Sequence, residues 1–189
     1  MMTAGLLEKQ RAFYESGNTL DTRSRRAMLQ ILANTVKEMA GGDPGAGVIA
    51  GAVADVRKHL YKWTGTGRLR LLLSLFATPG KDGPIPYGCV LIDASGAGDA
   101  LQDILQPLVS AIAAGNTSVL IVPDTPAGAL AGRIIEETFT DDFVAAVPVG
   151  DTSAEELDSL DFSLVHVCGS GMPCSGYEGF LAFSSPSEE

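Results

Sequence analysis

Two aspartates and one histidine are the side chains of this sequence best placed for proton-transfer chemistry. Asp93 and Asp99 bracket a loop of small residues, 94–98, that follows a β-rich run. His166 lies in a later β-rich run, and we expect both runs to end near one crevice of a parallel sheet. Carboxylates and an imidazole at strand ends could transfer protons without a cofactor. Asp93, Asp99 and His166 are therefore the predicted catalytic residues, acting on a small-molecule substrate.

Each of these features also has a structural interpretation. Asp99 could be the N-cap of the helix that follows it. His166 could be a buried, hydrogen-bonded histidine, or it could act as a base for Cys168, which shares its strand face. The loop 95–98 could offer backbone N–H groups to an anion at a helix N-terminus, or it could be a flexible turn. The sequence leaves these alternatives open.

Neither a metal site nor a nucleotide cofactor is expected. The three cysteines, Cys89, Cys168 and Cys174, do not form a four-ligand set, which argues against a zinc site. The glycines at 96 and 98 form only an incomplete G-x-G-x-x-G fingerprint. An odd number of cysteines without a visible signal peptide predicts reduced thiols and a cytoplasmic protein.

Composition excludes two classes of partner. The 189 residues carry a net charge of −10, which argues against nucleic acid and against anionic lipid surfaces. The longest apolar run, 69–77, is interrupted by Arg70 and is too short to span a membrane. Because 46% of the residues are apolar and only 19% are charged, we expect exposed apolar surface and a homo-oligomer.

The order of periodic segments predicts an α/β fold in one unit, 1–189. A helical part with an edge strand should occupy 1–78, a Rossmann-like βαβ part 84–171, and a tail 172–189. The predicted helices are 4–16, 21–39, 48–63, 99–114, 126–138 and 153–159, and the predicted strands are 69–76, 87–93, 118–122, 143–149 and 163–168. A chain-breaking segment, 79–86, should separate the two parts. Alternating strands and helices indicate a short, mostly parallel sheet.

Four stretches of the chain resemble class 3 type aldehyde dehydrogenases. The most characteristic is Q-P-L-V-S-A-I-A-A-G-N at 106–116, and R-A-F-Y-E-S-G-N-T at 11–19 and P-Y-G-C-V-L-I at 86–92 are also similar. F-S-L-V-H-V-C-G-S at 162–170 is a weaker match. The resemblance covers roughly 7–171 and implies N-terminal helices on a short Rossmann-like sheet, a truncated form of that fold.

The departures from the family pattern imply that the dehydrogenase chemistry is lost. The family's W-N-Y-P loop, whose Asn holds the substrate oxyanion, is replaced by 93–99. Its K-P-S-E, which grips the adenosine ribose, is replaced by 121–124, and the second glycine of its G-S-T-x-V-G turn is Cys174. The E-L-G-G-K segment and the nucleophilic cysteine have no counterpart. The resemblance therefore implies a protein without NAD(P)-dependent oxidation.

Two functional hypotheses follow. The first is a cofactor-independent isomerase, cyclase or lyase that acts on a small carbonyl-type metabolite. The second is a non-catalytic pseudoenzyme that binds a partner protein or a full-length relative. In the family the segment near 69–76 helps subunits associate, so Leu71 and Leu73 are the residues to test for the second role.

Overall fold

Three helices precede the sheet in the computed structural model, which describes residues 4–60, 76–80 and 83–169. They are α1 (Ala4–Glu15), α2 (Thr22–Ala40) and α3 (Pro44–His59). Asp21 caps α2 by accepting a hydrogen bond from the Ser24 amide. In the same way Asp43 caps α3 through the Gly45 amide. The prediction that α3 begins at residue 48 was wrong, because Asp43 followed by proline starts a helix.

A short hairpin occupies the segment that was predicted to break the chain. Strands β1 (Ala77–Gly80) and β2 (Gly83–Pro86) pair antiparallel, with Ala77 opposite Pro86. The predicted breaker at 79–86 therefore contains the end of β1 and all of β2, and its prolines and glycines keep the hairpin short. Most of the predicted strand 69–76, the end of the predicted helix 48–63 and the predicted tail 172–189 lie outside the described residues.

Four parallel strands form the main sheet and confirm the α/β prediction. They are β3 (Cys89–Gly96), β4 (Thr117–Val122), β5 (Val144–Pro148) and β6 (Leu164–Gly169). Their spatial order is β5-β4-β3-β6. The chain therefore moves away from β3 through β4 and β5, then returns to pair β6 with the other side of β3. This is the order of the first four strands of a Rossmann fold.

Helices lie on both faces of this sheet. The connections contain α4 (Leu101–Ala114), α5 (Pro126–Thr138) and, after a 3-10 turn (Val149–Asp151), α6 (Ala154–Asp158). The larger core cluster joins α2, α3, α4 and α5 to one sheet face, and the smaller cluster places α1 and α6 on the other. Each sheet face is therefore covered, as a parallel sheet requires.

Candidate functional site

The strand order reverses between β3 and β6, and ligands of doubly wound folds bind at the carboxyl ends of such strands. The register of the pair shifts after Asp93, and Gly96 then lies opposite Gly169. Gly169 has φ +69°, and a Cβ there would lie 2.5 Å from the Gly96 carbonyl oxygen. Only glycine permits so close an approach of the two backbones. The sequence pattern alone does not distinguish Gly169 from the other glycines.

The carboxyl group of Asp93 lies at this point and is fully buried, with 0% exposure. Its Oδ1 accepts a hydrogen bond of 2.9 Å from the Ser95 amide. Its Oδ2 is also buried, and among the residues that the structure describes no donor lies within hydrogen-bonding distance of it. Buried polar atoms are nearly always paired, so this oxygen is an exception that needs an explanation.

His166 lies on the opposite face of the sheet from Asp93. It is level with Ile92, which belongs to the larger core cluster, whereas Asp93 is level with Val167 of the smaller one. The His166 ring packs against Phe76, with 5.3 Å between the ring centroids. Burial lowers the pKa of this imidazole. The structure therefore does not bring His166 and Asp93 together.

Asp99 caps a helix, but not the helix for which it was predicted. Its Oδ1 accepts a hydrogen bond of 3.0 Å from the amide of Ala127, in the first turn of α5. The N-cap of α4 is Ala100, which provides no side-chain hydrogen bond. The capping prediction for α4 was wrong because the loop carries the Asp99 carboxylate across to the neighbouring helix.

Cys168 completes the group of side chains near the reversal point. Burial, followed by the negative charges of Asp93 and Asp103, raises the pKa of its thiol to about 12. A reactive thiolate paired with a protonated His166 would need a lowered thiol pKa and a raised imidazole pKa. Both pKa values are shifted in the opposite direction. The electrostatics therefore oppose the interpretation of His166 as a base for Cys168. They also place Asp103, which no sequence pattern marks as a site residue, near Cys168.

The described residues show neither a metal centre nor a membrane span. No group of three or more histidine, cysteine, aspartate or glutamate side chains in 4–60, 76–80 and 83–169 is arranged to hold a metal ion. Within those ranges no helix combines the length and apolar character needed to cross a bilayer.

Comparisons with known proteins identify the relatives of this fold. No protein-family model matches the chain. A 4,4'-diaponeurosporen-aldehyde dehydrogenase of Staphylococcus aureus is 30% identical over 179 residues, which cover 85% of this chain and 39% of that protein. A 4,4'-diapolycopene-4,4'-dial dehydrogenase of Cytobacillus firmus is 34% identical over 126 residues, 66% of this chain and 28% of that protein. The chain is aldehyde dehydrogenase-like.

A solved structure supports the same conclusion about the fold. The substrate-bound state of Staphylococcus aureus AldH superposes on this chain with a TM-score of 0.66 at 24% identity, covering 87% of this chain and 40% of that one. The resemblance seen in the motifs is thus confirmed. The aldehyde dehydrogenase-like chain spans less than two-fifths of the length of either curated relative, so their activities belong to proteins of which it matches only a part.

Proposed function

We propose that this aldehyde dehydrogenase-like protein is a cofactor-independent isomerase, cyclase or lyase that acts on a small carbonyl-type metabolite. The observation that supports the proposal is the buried Asp93 carboxylate, whose Oδ2 has no partner among the described residues and which lies where the strand order reverses. A cytoplasmic location is part of the proposal, because Cys89 and Cys168 are free thiols.

In this proposal Asp93 is the general base. The Ser95 amide holds Oδ1, so Oδ2 is left to accept a proton from the carbon next to the substrate carbonyl. In an isomerisation Asp93 returns that proton to a different atom of the same molecule, so the reaction balances without a redox cofactor. Exclusion of water keeps the proton on the carboxyl until it is returned.

Asp99 acts as a positioning residue in this proposal. Its hydrogen bond to the Ala127 amide ties the loop after β3 to α5. In this proposal the loop 95–100, whose Ser95 amide donates to Oδ1, moves aside to admit the substrate, because Asp93 is fully buried. Loss of the Asp99 contact should therefore change substrate binding more than the chemical step. His166, on the opposite sheet face, acts on the site only through the packing of β6 against β3.

The decisive experiment compares metabolites. Extract of the native producer lacking this gene is incubated with purified protein, without added cofactor, and profiled by mass spectrometry. We expect one accumulated compound to be converted to an isomer or a dehydrated product, and Asp93→Asn to slow this conversion by at least about 100-fold. Glu137→Gln, an exposed change on α5 that alters the net charge equally, should convert at the wild-type rate.

Several outcomes would contradict the proposal. Conversion that requires added NAD or NADP would show cofactor chemistry instead. Full activity of a folded Asp93→Asn protein would remove Asp93 from the mechanism. A rise in the melting temperature of several degrees with NAD or NADP at about 1 mM would show that a nucleotide binds.

A second candidate function is a non-catalytic role in binding a full-length relative, another partner or a second copy of this chain. It is supported by large apolar side chains that stand in solvent among the described residues: Leu20, Ile31, Met39, Val48, Ile85 and Tyr87. Light scattering tests it, because a homo-oligomer should exceed the monomer mass of 19.6 kDa in dilute solution. Changing Leu71 and Leu73, which lie outside the described residues, to aspartate should then restore the monomer.

A further inference from the structure

A cleft lies between helix α1 and the turn that precedes β5, and it shares no residue with the proposed catalytic site. Its volume is about 520 Å³, which is within the range of small-molecule sites. One wall follows a single face of α1 and its end, through side chains at the i, i+3, i+4 and i+7 positions: Lys9, Ala12, Phe13 and Ser16. The other wall consists of Thr140, Asp141 and Asp142.

Buried contacts hold the two walls at a fixed spacing. Gln10, a fully buried residue of α1, donates from Nε2 to the carbonyl oxygen of Asp141 at 3.0 Å and to that of Ser118 at 2.9 Å. On the next turn of the helix, the Phe13 ring packs against Phe143 with 5.7 Å between the ring centroids. The cleft is therefore formed before a ligand arrives, which reduces the entropy lost on binding.

The two hydroxyl groups of the cleft are acceptors toward a ligand, because each already uses its one proton. Ser16 donates to the carbonyl oxygen of Phe13 at 2.6 Å, and Thr140 donates to the carboxylate of Asp142. The lone pairs that remain on both oxygens can accept further hydrogen bonds. A ligand that fits these groups must therefore bring N–H or O–H donors.

The charged groups of the cleft favour a ligand with two positive groups and one negative group. Asp141 and Asp142 are solvent-accessible carboxylates and Lys9 is an exposed amine, so the charge of the cleft at neutral pH is −1. Among the lining side chains, Lys9 is also the single donor. A guanidinium group offers five donors and stacks on aromatic rings, and the Phe13 ring provides such a surface.

We propose that this cleft binds a basic amino acid with a guanidinium side chain. The guanidinium lies over Phe13, the two cationic groups of the ligand donate to Asp141 and Asp142, and its carboxylate accepts from Lys9. The proposal goes beyond the proposed function, because it concerns a second site and requires no chemical step. The bound ligand joins α1 to the turn before β5.

Three compounds of similar shape separate the contributions of the charges. L-Arginine carries all three charged groups, L-citrulline lacks the guanidinium charge, and agmatine lacks the carboxylate. Each is titrated into the ¹⁵N-labelled 189-residue chain while the amide signals of Phe13, Ser16 and Asp142 are followed by NMR. About 150 mM NaCl screens the general attraction of cations to the acidic protein.

Arginine should bind best of the three. We expect a Kd on the order of 1 mM, because the charged groups of the cleft are exposed to water. Citrulline and agmatine should each bind at least about threefold more weakly, since each leaves one charged group of the cleft without its partner.

Three variants make the test specific. Asp142→Asn should weaken arginine binding by at least about threefold. Asp124→Asn makes the same change in net charge on an exposed residue beyond the carboxyl end of β4, whereas Gln10 contacts the amino end of that strand, so this variant should bind arginine as the wild type does. Ala12→Phe fills the cleft from an exposed helix position and keeps every charge, so arginine binding should be lost.

The outcomes separate a built cleft from diffuse attraction to an acidic surface. If Ala12→Phe binds arginine as tightly as the wild type, the binding is diffuse and the proposal is wrong. It is also wrong if citrulline or agmatine binds as tightly as arginine, or if arginine leaves the three amide signals unchanged. None of these measurements involves metabolite conversion, so a negative result here leaves the proposed function standing.

Discussion

Ionisable side chains near the reversal point respond to burial according to which of their forms is charged. Burial lowers the pKa of His166, because the protonated imidazole is the charged form. It raises the pKa of Cys168, because there the thiolate is charged. Both residues therefore stay neutral near pH 7. His166 and Cys168 therefore do not form a charged pair of base and nucleophile on β6.

His166 should make the stability of the protein depend on pH. Its folded-state pKa lies below the unfolded value, so the unfolded chain binds the proton more readily. The stabilisation is complete above the unfolded pKa of about 6.5 and is lost as the pH falls below that value. We expect the melting temperature to fall as the pH is lowered from 7.5 to about 5.5. The melting temperature of His166→Gln should fall less over the same range.

The control for this prediction is the other histidine. His59→Gln should keep the pH dependence of the wild type. An equal decline in all three proteins would show that His166 does not carry the effect. An NMR titration of the two imidazoles checks the direction of the shift directly.

The thiols of Cys89 and Cys168 should react slowly in the folded protein. Burial raises the pKa of Cys89 to about 11 and that of Cys168 to about 12. Raising a thiol pKa from about 9 to about 11 lowers the thiolate fraction at pH 8 by roughly 100-fold. In a Cys174→Ser protein, iodoacetamide should therefore label the native chain at least about 100-fold more slowly than the urea-unfolded chain. Rapid labelling of the native thiols would contradict the buried positions.

At the scale of elements, one asparagine joins the hairpin to the sheet. Asn116, which follows α4, accepts a hydrogen bond from the Gly88 amide and donates one to the Phe76 carbonyl oxygen. Both contacts are buried and span at least 28 positions of the sequence. The end of the most characteristic family-like motif therefore has a structural task here. It fixes the start of β3 and, with it, the position of Asp93 further along that strand.

The start of α5 depends on close packing at Gly128. A Cβ at Gly128 would overlap the Pro123 carbonyl oxygen, whereas a Cβ at Gly132, one turn later in the same helix, meets nothing within 4 Å. We expect Gly128→Ala to lower the free energy of unfolding by about 2 kcal/mol or more. Gly132→Ala should raise it by about 0.5–1 kcal/mol, because alanine is the better helix former.

Urea denaturation of the two variants measures this difference. Equal stabilities would mean that the Pro123–Gly128 contact is not tight. Because Asp99 caps the same helix end, Gly128→Ala should also loosen the loop beside Asp93. Faster amide hydrogen exchange at residues 95–100 would show that coupling.

At the scale of the whole molecule, charge opposes stability. The net charge is −10, and an ion pair between Arg11 and Asp161 has side chains 41% and 92% exposed. Such an exposed pair adds little stability, while an excess of like charges destabilises the compact state. Salt should therefore stabilise the fold by weakening repulsion more than attraction.

We expect the melting temperature at pH 7.5 to rise by a few degrees between roughly 10 mM and 300 mM NaCl. At a pH near the isoelectric point of about 4.6 the same addition should have little effect, since the net charge is then close to zero. Differential scanning calorimetry at the two pH values measures the salt-induced change in melting temperature at each. A salt-induced decrease at pH 7.5 would show that specific ion pairs outweigh the net repulsion.

The sequence alone determined the element types and the family resemblance. Apolar periodicity, caps and glycines are local signals, and they predicted a four-stranded parallel sheet with intervening helices close to the observed β3–β6 and α4–α6. Local signals were misleading at Asp43 and Pro44, because the same residue types occur where a helix ends and where one begins. Here they begin α3.

Only the tertiary structure decided which charged groups meet. The two-residue period shows which side chains share a face within one strand, but the register between strands separated His166 from Asp93. Likewise, a capping residue is recognisable in sequence, but only the packing of α5 beside the loop turned Asp99 toward Ala127. Hydrogen bonding and periodicity are set by near neighbours along the chain, whereas the surroundings of Asp93 depend on strands and helices that are distant in sequence.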